Sequence, residues 1–276
     1  MPQTIKSITV NQFDYILRDL NNDELDLRGH LNHYQEFDAD GHLVKDARYN
    51  RLDELEELYE YSYDAAGLMT EETYYLDEEE AAEKKTFEYD ESDKLARVLK
   101  HYQDGSIDLI TYFYDPDGQL IRIEKRDEEG EIDQHEEFEW QNGKVVKESV
   151  FDAGDQLISC KTMTYTEHGE ISELHSWNAD DDTGETRLFQ KDEEGNLISS
   201  TEDGLGPKSQ IQTTYNEKGQ PVQEEEITPE GDILSRVVRQ YDAAGRELET
   251  EVFIDGQGQT LSRHYFLRYQ YVFFED

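Results

Sequence analysis

The stretch Tyr114–Leu120, YDPDGQL, decides the fold, because variants of it return along almost the whole chain. Most copies have an aromatic residue, an acidic or polar residue, two or three turn residues, a glycine and then an aliphatic residue. Successive copies start 25 or 26 residues apart. They begin at Phe37, Tyr63, Tyr89, Tyr114, Trp140, Tyr165, Gln190, Tyr215 and Tyr241. A fixed period of this size is the sequence signature of a repeat architecture.

Every repeat contains two turn signals separated by alternating segments. The segment Leu95–Tyr102, LARVLKHY, alternates apolar and polar residues with the period of two that is typical of a strand. A second turn such as Asp104-Gly105 follows, and its glycine supplies the positive φ of a hairpin turn. The pattern predicts an all-β fold, a long antiparallel β-meander or solenoid-like ribbon of about nine two-strand repeats.

We predict one continuous structural unit with three parts. Residues 1–33 lack the motif and form an N-terminal cap, residues 34–250 form the repeat array, and residues 251–276 form C-terminal capping strands. Terminal units are expected to be atypical because they must cover an open sheet edge. The helical spacing of Leu52, Leu55 and Leu58 leaves a short helix open as an alternative, although the repeat period favours a strand there.

The recurring aromatic residues are predicted to be structural. At one position per repeat they would form a ladder along one sheet face, with each ring packed on its neighbour. The acid that follows would accept hydrogen bonds from turn amides, and the glycine would take the positive φ. The predicted ladder consists of Phe37, Tyr63, Tyr89, Tyr114, Trp140, Tyr165, Tyr215 and Tyr241.

The copies that begin at Tyr63, Tyr114 and Tyr241 resemble the YD (RHS-type) repeats of bacterial polymorphic toxins and toxin-complex proteins. The resemblance covers about residues 34–250 and implies a β-sheet ribbon that spirals into a shell. The copies at Trp140 and Gln190 lack the Tyr-Asp pair, and the family's self-cleaving region and toxin tail are absent, so no encapsulated cargo is implied. The two-turn unit is also similar to the MORN-type repeats of small bacterial antitoxins.

The charge of the chain limits its partners. It has 67 Asp and Glu residues against 26 Lys and Arg residues, a formal net charge of −41. Phosphate backbones and anionic membranes repel such a chain, so we expect neither nucleic acid nor a membrane but a cationic protein as partner. Its 18 tyrosines at regular intervals distinguish it from a disordered acidic tail. Adaptation to salt would also explain the acidity.

The sequence contains no catalytic or metal-binding constellation that stands out. The segments 38–41 and 115–118 resemble the start of calcium loops, but the later ligands and the bidentate glutamate are missing. Cys160 is the single cysteine, the eight histidines are scattered, and no nucleophile motif or phosphate loop occurs. We therefore predict a non-enzymatic protein without cofactor or metal. The lack of a signal-like apolar run predicts a cytoplasmic protein, which we expect to be monomeric.

Runs of acidic residues are the candidate partner-binding sites. Their alternative role is solubility and opposition to edge-to-edge strand pairing. They are Asp77, Glu78, Glu79 and Glu80, then Asp180, Asp181 and Asp182, then Glu224, Glu225 and Glu226.

The favoured functional hypothesis is an acidic protein-binding scaffold, and specifically an immunity or antitoxin-like inhibitor of a basic bacterial toxin domain. Its basis is the toxin-associated repeat style, the extreme acidity and the lack of a catalytic constellation. The second hypothesis is a chaperone or structural accessory component of a bacterial secretion or toxin-delivery system. The third is a carbohydrate-binding or surface-binding module.

Overall fold

The computed structural model describes residues 4–19, 24–76, 80–180, 183–191, 197–202, 209–256 and 262–275. These residues form twenty strands and no helix. The first ten strands are β1 (Ile5–Asp19), β2 (Glu24–Phe37), β3 (Leu43–Tyr49), β4 (Leu55–Tyr63), β5 (Met69–Tyr75), β6 (Ala81–Tyr89), β7 (Leu95–Tyr102), β8 (Ile107–Tyr114), β9 (Leu120–Arg126) and β10 (Ile132–Gln141). The others are β11 (Lys144–Asp152), β12 (Leu157–Tyr165), β13 (Ile171–Asn178), β14 (Thr183–Lys191), β15 (Leu197–Glu202), β16 (Gln210–Tyr215), β17 (Pro221–Ile227), β18 (Ile233–Tyr241), β19 (Glu247–Ile254) and β20 (Arg263–Phe273).

The all-β prediction is confirmed in the described part of the chain. The leucines at helical spacing do not form a helix, because Leu52 lies in a turn while Leu55 and Leu58 lie on β4. The repeat period therefore outweighs the local helical pattern. No described segment is a helix with the length and apolar character needed to cross a membrane.

The chain divides into two compact units. The first comprises Met1–Ala82 and Gln212–Asp276, and the second comprises Glu83–Ile211. In the second unit, every two consecutive strands from β7 to β15 pair antiparallel. In the first unit, β1 to β5 pair in the same way, as do β17 to β20. Consecutive hairpins thus build both units.

The first and last strands also pair with each other. Ile8 lies opposite Tyr271 and Asp14 lies opposite Tyr265, so β1 has β2 on one side and β20 on the other. The predicted open ribbon or solenoid is therefore wrong. The twenty strands belong to one antiparallel sheet whose first and last strands pair, so the sheet is closed rather than open. Closure pairs the main-chain N–H and C=O groups that the two edge strands of an open ribbon would expose.

A β-bulge accompanies the motif turn in seven hairpins, whereas the β14–β15 hairpin of the Gln190 copy pairs without one. Tyr165 on β12 lies opposite Ile171, whereas the preceding Thr164 lies opposite Glu173, so that Ser172 is the extra residue. The same shift occurs at Phe37, Tyr63, Tyr89, Tyr114, Trp140 and Tyr241. Bulges bend a strand and increase its twist, and a sheet needs both to close.

Few side chains of the sheet are deeply buried. None of the large side chains in the described residues is fully buried, and the buried apolar residues are Val10, Ala47, Leu58, Val98, Leu234 and Val252. Stability must therefore come from strand pairing and from half-buried cross-strand contacts rather than from one central core.

Candidate binding surface

The acidic residue after the motif aromatic closes the turn. Asp64 Oδ1 accepts hydrogen bonds from the main-chain N–H groups of Ala66 and Leu68, at 2.8 and 2.9 Å. Gly67 donates to the Asp64 carbonyl at 3.1 Å and has a φ of +83°. The same two side-chain bonds recur at Asp38, Asp90 and Asn216. Where glycine is missing, Asp93 takes a φ of 58°, which aspartate tolerates better than most residues.

The motif aromatic ends its strand and donates a hydrogen bond to the main chain of the preceding repeat. Tyr165 Oη donates to the Val145 carbonyl at 2.6 Å, and Val145 is the second residue after the previous turn. Trp140 keeps this bond through Nε1, which donates to the Leu120 carbonyl at 2.8 Å. Equivalent bonds join Tyr63 to Leu43, Tyr114 to Leu95 and Tyr241 to Pro221. The sequence alone gave no sign of this bond, because the acceptor is a main-chain atom.

The residue after the turn glycine packs on the next motif aromatic. His42 stacks on Tyr63 with ring centroids 4.6 Å apart. Lysine Nζ atoms lie over the rings in two other repeats, Lys94 over Tyr114 at 5.1 Å and Lys144 over Tyr165 at 4.7 Å. These cations also donate to main-chain carbonyls of the next turn, at Gly118 and Gly169. Cations at this edge of the sheet are therefore held against the repeat array.

Side chains two positions apart share a sheet face, so the motif aromatics define one face, here called the tyrosine face. It carries Tyr59, Tyr61 and Tyr63 on β4, and Tyr112 and Tyr114 on β8. Burial, followed by the nearby carboxylates Glu72 and Asp46, raises the pKa of Tyr61 to about 12. This face is partly dehydrated.

A carboxylate on the tyrosine face is correspondingly disfavoured. Burial and the nearby Glu148 raise the pKa of Glu136 on β10 above its ordinary value. Its neighbour Glu137 points to the opposite face, where it is exposed and pairs with Arg122 at 2.8 Å. Strand alternation thus gives adjacent glutamates different environments.

Glu136→Gln is expected to raise the free energy of unfolding at pH 7. Because the pKa of Glu136 is raised on folding, the folded chain holds this proton more tightly than the unfolded chain, and stability falls as pH rises through that interval. This increase in the free energy of unfolding should disappear below the ordinary glutamate pKa of 4.5. Urea unfolding at pH 7 and at about pH 4 measures the increase at each pH. The exposed control Glu137→Gln should change stability by less than about 1 kcal/mol at either pH, and an equal gain from both variants would contradict the burial argument.

The second turn of each repeat forms the other edge of the sheet. In the second unit these turns carry exposed acids, which we call the acidic rim: Asp104, Glu128, Glu129, Glu131, Asp155 and Asp180. Successive turns of this rim are two strands apart, about 10 Å. Asp127 caps its turn by accepting from the N–H groups of Glu129 and Glu131. Arg126 beside this turn is bound to Glu124 and to the Gly130 carbonyl, so it leaves the three glutamates unneutralised.

The predicted acidic runs are placed differently from one another. Glu80 and Asp180 are exposed beside turns, whereas Asp77, Glu78, Glu79, Asp181 and Asp182 lie outside the described residues. Glu224, Glu225 and Glu226 lie within β17 rather than at a turn. Strand alternation splits them, because Glu225 lies opposite Arg236 while the other two lie on the tyrosine face.

One group of potential metal ligands occurs in the described residues. Oxygen and nitrogen atoms of Asp38, Asp40 and His42 lie within 4.8 Å of one another. Asp38 Oδ1 accepts two turn amides, and His42 Nδ1 lies 2.9 Å from Asp38 Oδ2. These bonds account for the group as part of the turn, and we assign no metal to it.

No protein-family model and no curated protein matches the chain. Among solved structures it is similar to TcdB2-TccC3 without its hypervariable C-terminal region, with 13% identity, a TM-score of 0.40, and coverage of 89% of this chain and 16% of that chain. It is also similar to a porin-like protein from Bacteroides uniformis, with 9% identity, a TM-score of 0.38, and coverage of 98% and 99%. Neither similarity assigns a family or a function, and the YD motif remains a resemblance.

Proposed function

We propose that this protein is a non-enzymatic scaffold that binds a cationic protein along the acidic rim. In its most specific form it is an immunity or antitoxin-like inhibitor of a basic bacterial toxin domain. The observation that carries the proposal is the turn after β9, where Glu128, Glu129 and Glu131 are exposed and have no ion pair among the described residues. The motif edge of the same unit also carries exposed acids, but Lys94 and Lys144 are fixed at that edge.

The charge of the rim fits a basic partner. Unpaired carboxylates about 10 Å apart create a negative potential that raises the association rate of a cationic protein. The net charge of −41 adds a long-range attraction, which salt screens over about 10 Å at 0.1 M. The half-buried carboxylates of the tyrosine face, such as Glu136, contribute less because that face is dehydrated.

The test is binding to the basic protein encoded by the neighbouring gene, together with rescue of cells that express it. Affinity is expected to fall at least about tenfold between about 0.05 M and about 0.5 M NaCl. The triple variant Glu128→Gln, Glu129→Gln, Glu131→Gln should weaken binding at least about tenfold, because Asp127 still caps the turn.

A matched control separates rim binding from total charge. The variant Glu91→Gln, Asp117→Asn, Glu167→Gln removes the same charge from exposed residues at the motif edge of the same unit. It should change affinity by less than about threefold. Equal loss from both triple variants would refute the rim as the binding surface, and salt-independent binding or no binding would refute the proposed function.

A further inference from the structure

A cavity in the first unit is lined by an arginine with a buried donor atom that has no hydrogen-bond partner among the described residues. The cavity has a volume of about 400 Å³ and lies between the turn after β16 and the end of β18. Its lining includes Lys218, Gln220, Val222, Arg239 and Tyr241. This volume lies in the range of sites for small ligands. We infer that the cavity binds a small oxyanion, a carboxylate or phosphate group, through Arg239.

The guanidinium of Arg239 lacks a hydrogen-bond partner on one side. Its Nη1 atom is buried and has no acceptor among the described residues. A buried donor without a partner is costly, and more so when it is charged. The arginine fork matches two oxygens of a carboxylate or phosphate. After a small movement of the Arg239 side chain toward the cavity, the oxygens of a bound oxyanion would accept hydrogen bonds from the guanidinium.

Comparison with other repeats shows that the fold does not need arginine at this position. The equivalent cavity beside Lys144 and Tyr165 has a volume of about 490 Å³ and is lined by Met163, which precedes its motif tyrosine by two residues. Arg239 precedes Tyr241 by the same two residues. Other repeats have Tyr61, Phe87, Tyr112 and Phe138 there. Gln35, Leu188 and Thr213 hold this position in the remaining repeats, so the side chain is uncharged in every other copy and packing does not need the charge of Arg239.

The nearby acid of the turn does not neutralise Arg239. Asp242 Oδ2 accepts from Arg246 Nε at 2.6 Å, and its Oδ1 accepts from the Arg246 main-chain N–H at 2.9 Å. These bonds hold the pKa of Asp242 below its ordinary value. Tyr241 already donates to the Pro221 carbonyl at 2.8 Å. Glu217 is the other acid in the lining, and its side chain is exposed.

The cavity also contains groups that can hold an anion beside the guanidinium. Lys218 Nζ donates to the Ala243 carbonyl at 3.0 Å, which fixes a second positive charge in the lining. Gln220 Nε2 donates to the Gly245 carbonyl at 2.8 Å and narrows the cavity on that side. The overall charge of −41 opposes anions, and salt screens the distant part of it over about 10 Å. Of the two acids in the lining, Asp242 is paired with Arg246 and Glu217 is exposed.

The test uses the full chain with inorganic phosphate and citrate as probes, each compared with NaCl at equal ionic strength. Isothermal titration and ligand-dependent shifts of the unfolding temperature report binding. We expect saturable binding of at least one probe. Arg239→Met, which copies Met163, should abolish it, and Arg239→Lys should weaken it at least about tenfold because the fork is lost.

The control variant is Arg236→Met, which removes the same charge from an exposed position on the other face of β18. It should leave binding unchanged, and far-UV circular dichroism verifies that all variants fold. Binding of phosphate alone identifies a phosphate site, and binding of citrate alone identifies a carboxylate site. Absence of saturable binding to the wild type, or equal binding to Arg239→Met, would overturn the inference.

Discussion

Leu267→Pro and Arg268→Pro are each expected to destabilise the protein by at least about 3 kcal/mol. Both positions lie on β20 between two strands: Leu267 opposite Gln12 and Thr250, and Arg268 opposite Asn11 and Glu249. Proline removes a main-chain donor, and in a strand paired on both sides every donor has an acceptor. Urea unfolding followed by far-UV circular dichroism measures the loss, with alanine at the same position as reference.

The pair of variants distinguishes a closed sheet from an open one. In an edge strand, main-chain donors alternate between the neighbour and solvent, so one of two adjacent prolines would be tolerated. Tolerance of either variant would contradict the pairing of β1 with β20. Ala243→Pro is the control, because Pro116 occupies the equivalent position in another motif turn. It should be neutral or stabilise by up to about 1 kcal/mol.

Tyr165→Ala is expected to cost about 2 to 4 kcal/mol, and Tyr165→Phe about 1 to 2 kcal/mol. The alanine variant removes both the hydroxyl and the ring, and Lys144 Nζ lies over this ring. The phenylalanine variant removes only the hydrogen bond to the Val145 carbonyl. Equilibrium unfolding in urea measures both losses.

The same series contains its own checks. Phe113→Ala removes an exposed aromatic from the opposite face and should cost less than Tyr165→Ala. Tyr165→Trp retains an N–H donor, as Trp140 does, and should cost less than Tyr165→Ala. A loss below about 0.5 kcal/mol for Tyr165→Phe would mean that the hydroxyl bond is not a structural element of the repeat.

Much of the candidate binding surface follows from residue type and turn chemistry. Asp64 and Asp127 cap turns because a short carboxylate reaches the amides two and four residues on. Glu128 and Glu129 lie in the turn that Asp127 caps. The run of three glutamates from Glu224 to Glu226 does not form one surface, because adjacent residues in a strand face opposite ways.

Other features depend on which strands become neighbours. The buried Nη1 atom of Arg239, which has no hydrogen-bond partner in the described part of the chain, is recognisable only from the lining of its cavity and from the equivalent cavity at Met163. The bond from Tyr165 to a main-chain carbonyl requires the register of β12 against β11. No local sequence pattern specifies these contacts, since their partners lie one repeat away.

The sequence by itself determined the strands, the turns and their period of 25 or 26 residues. These follow from local preferences: alternation gives strands, and aspartate with glycine gives turns, in each copy independently. Only the tertiary structure decided that the array closes, through pairing of β1 with β20. That pairing joins the two ends of the chain, and a repeated local signal is the same for an open array and a closed one. Closure depends on the pairing of the two edges that an open array would leave exposed.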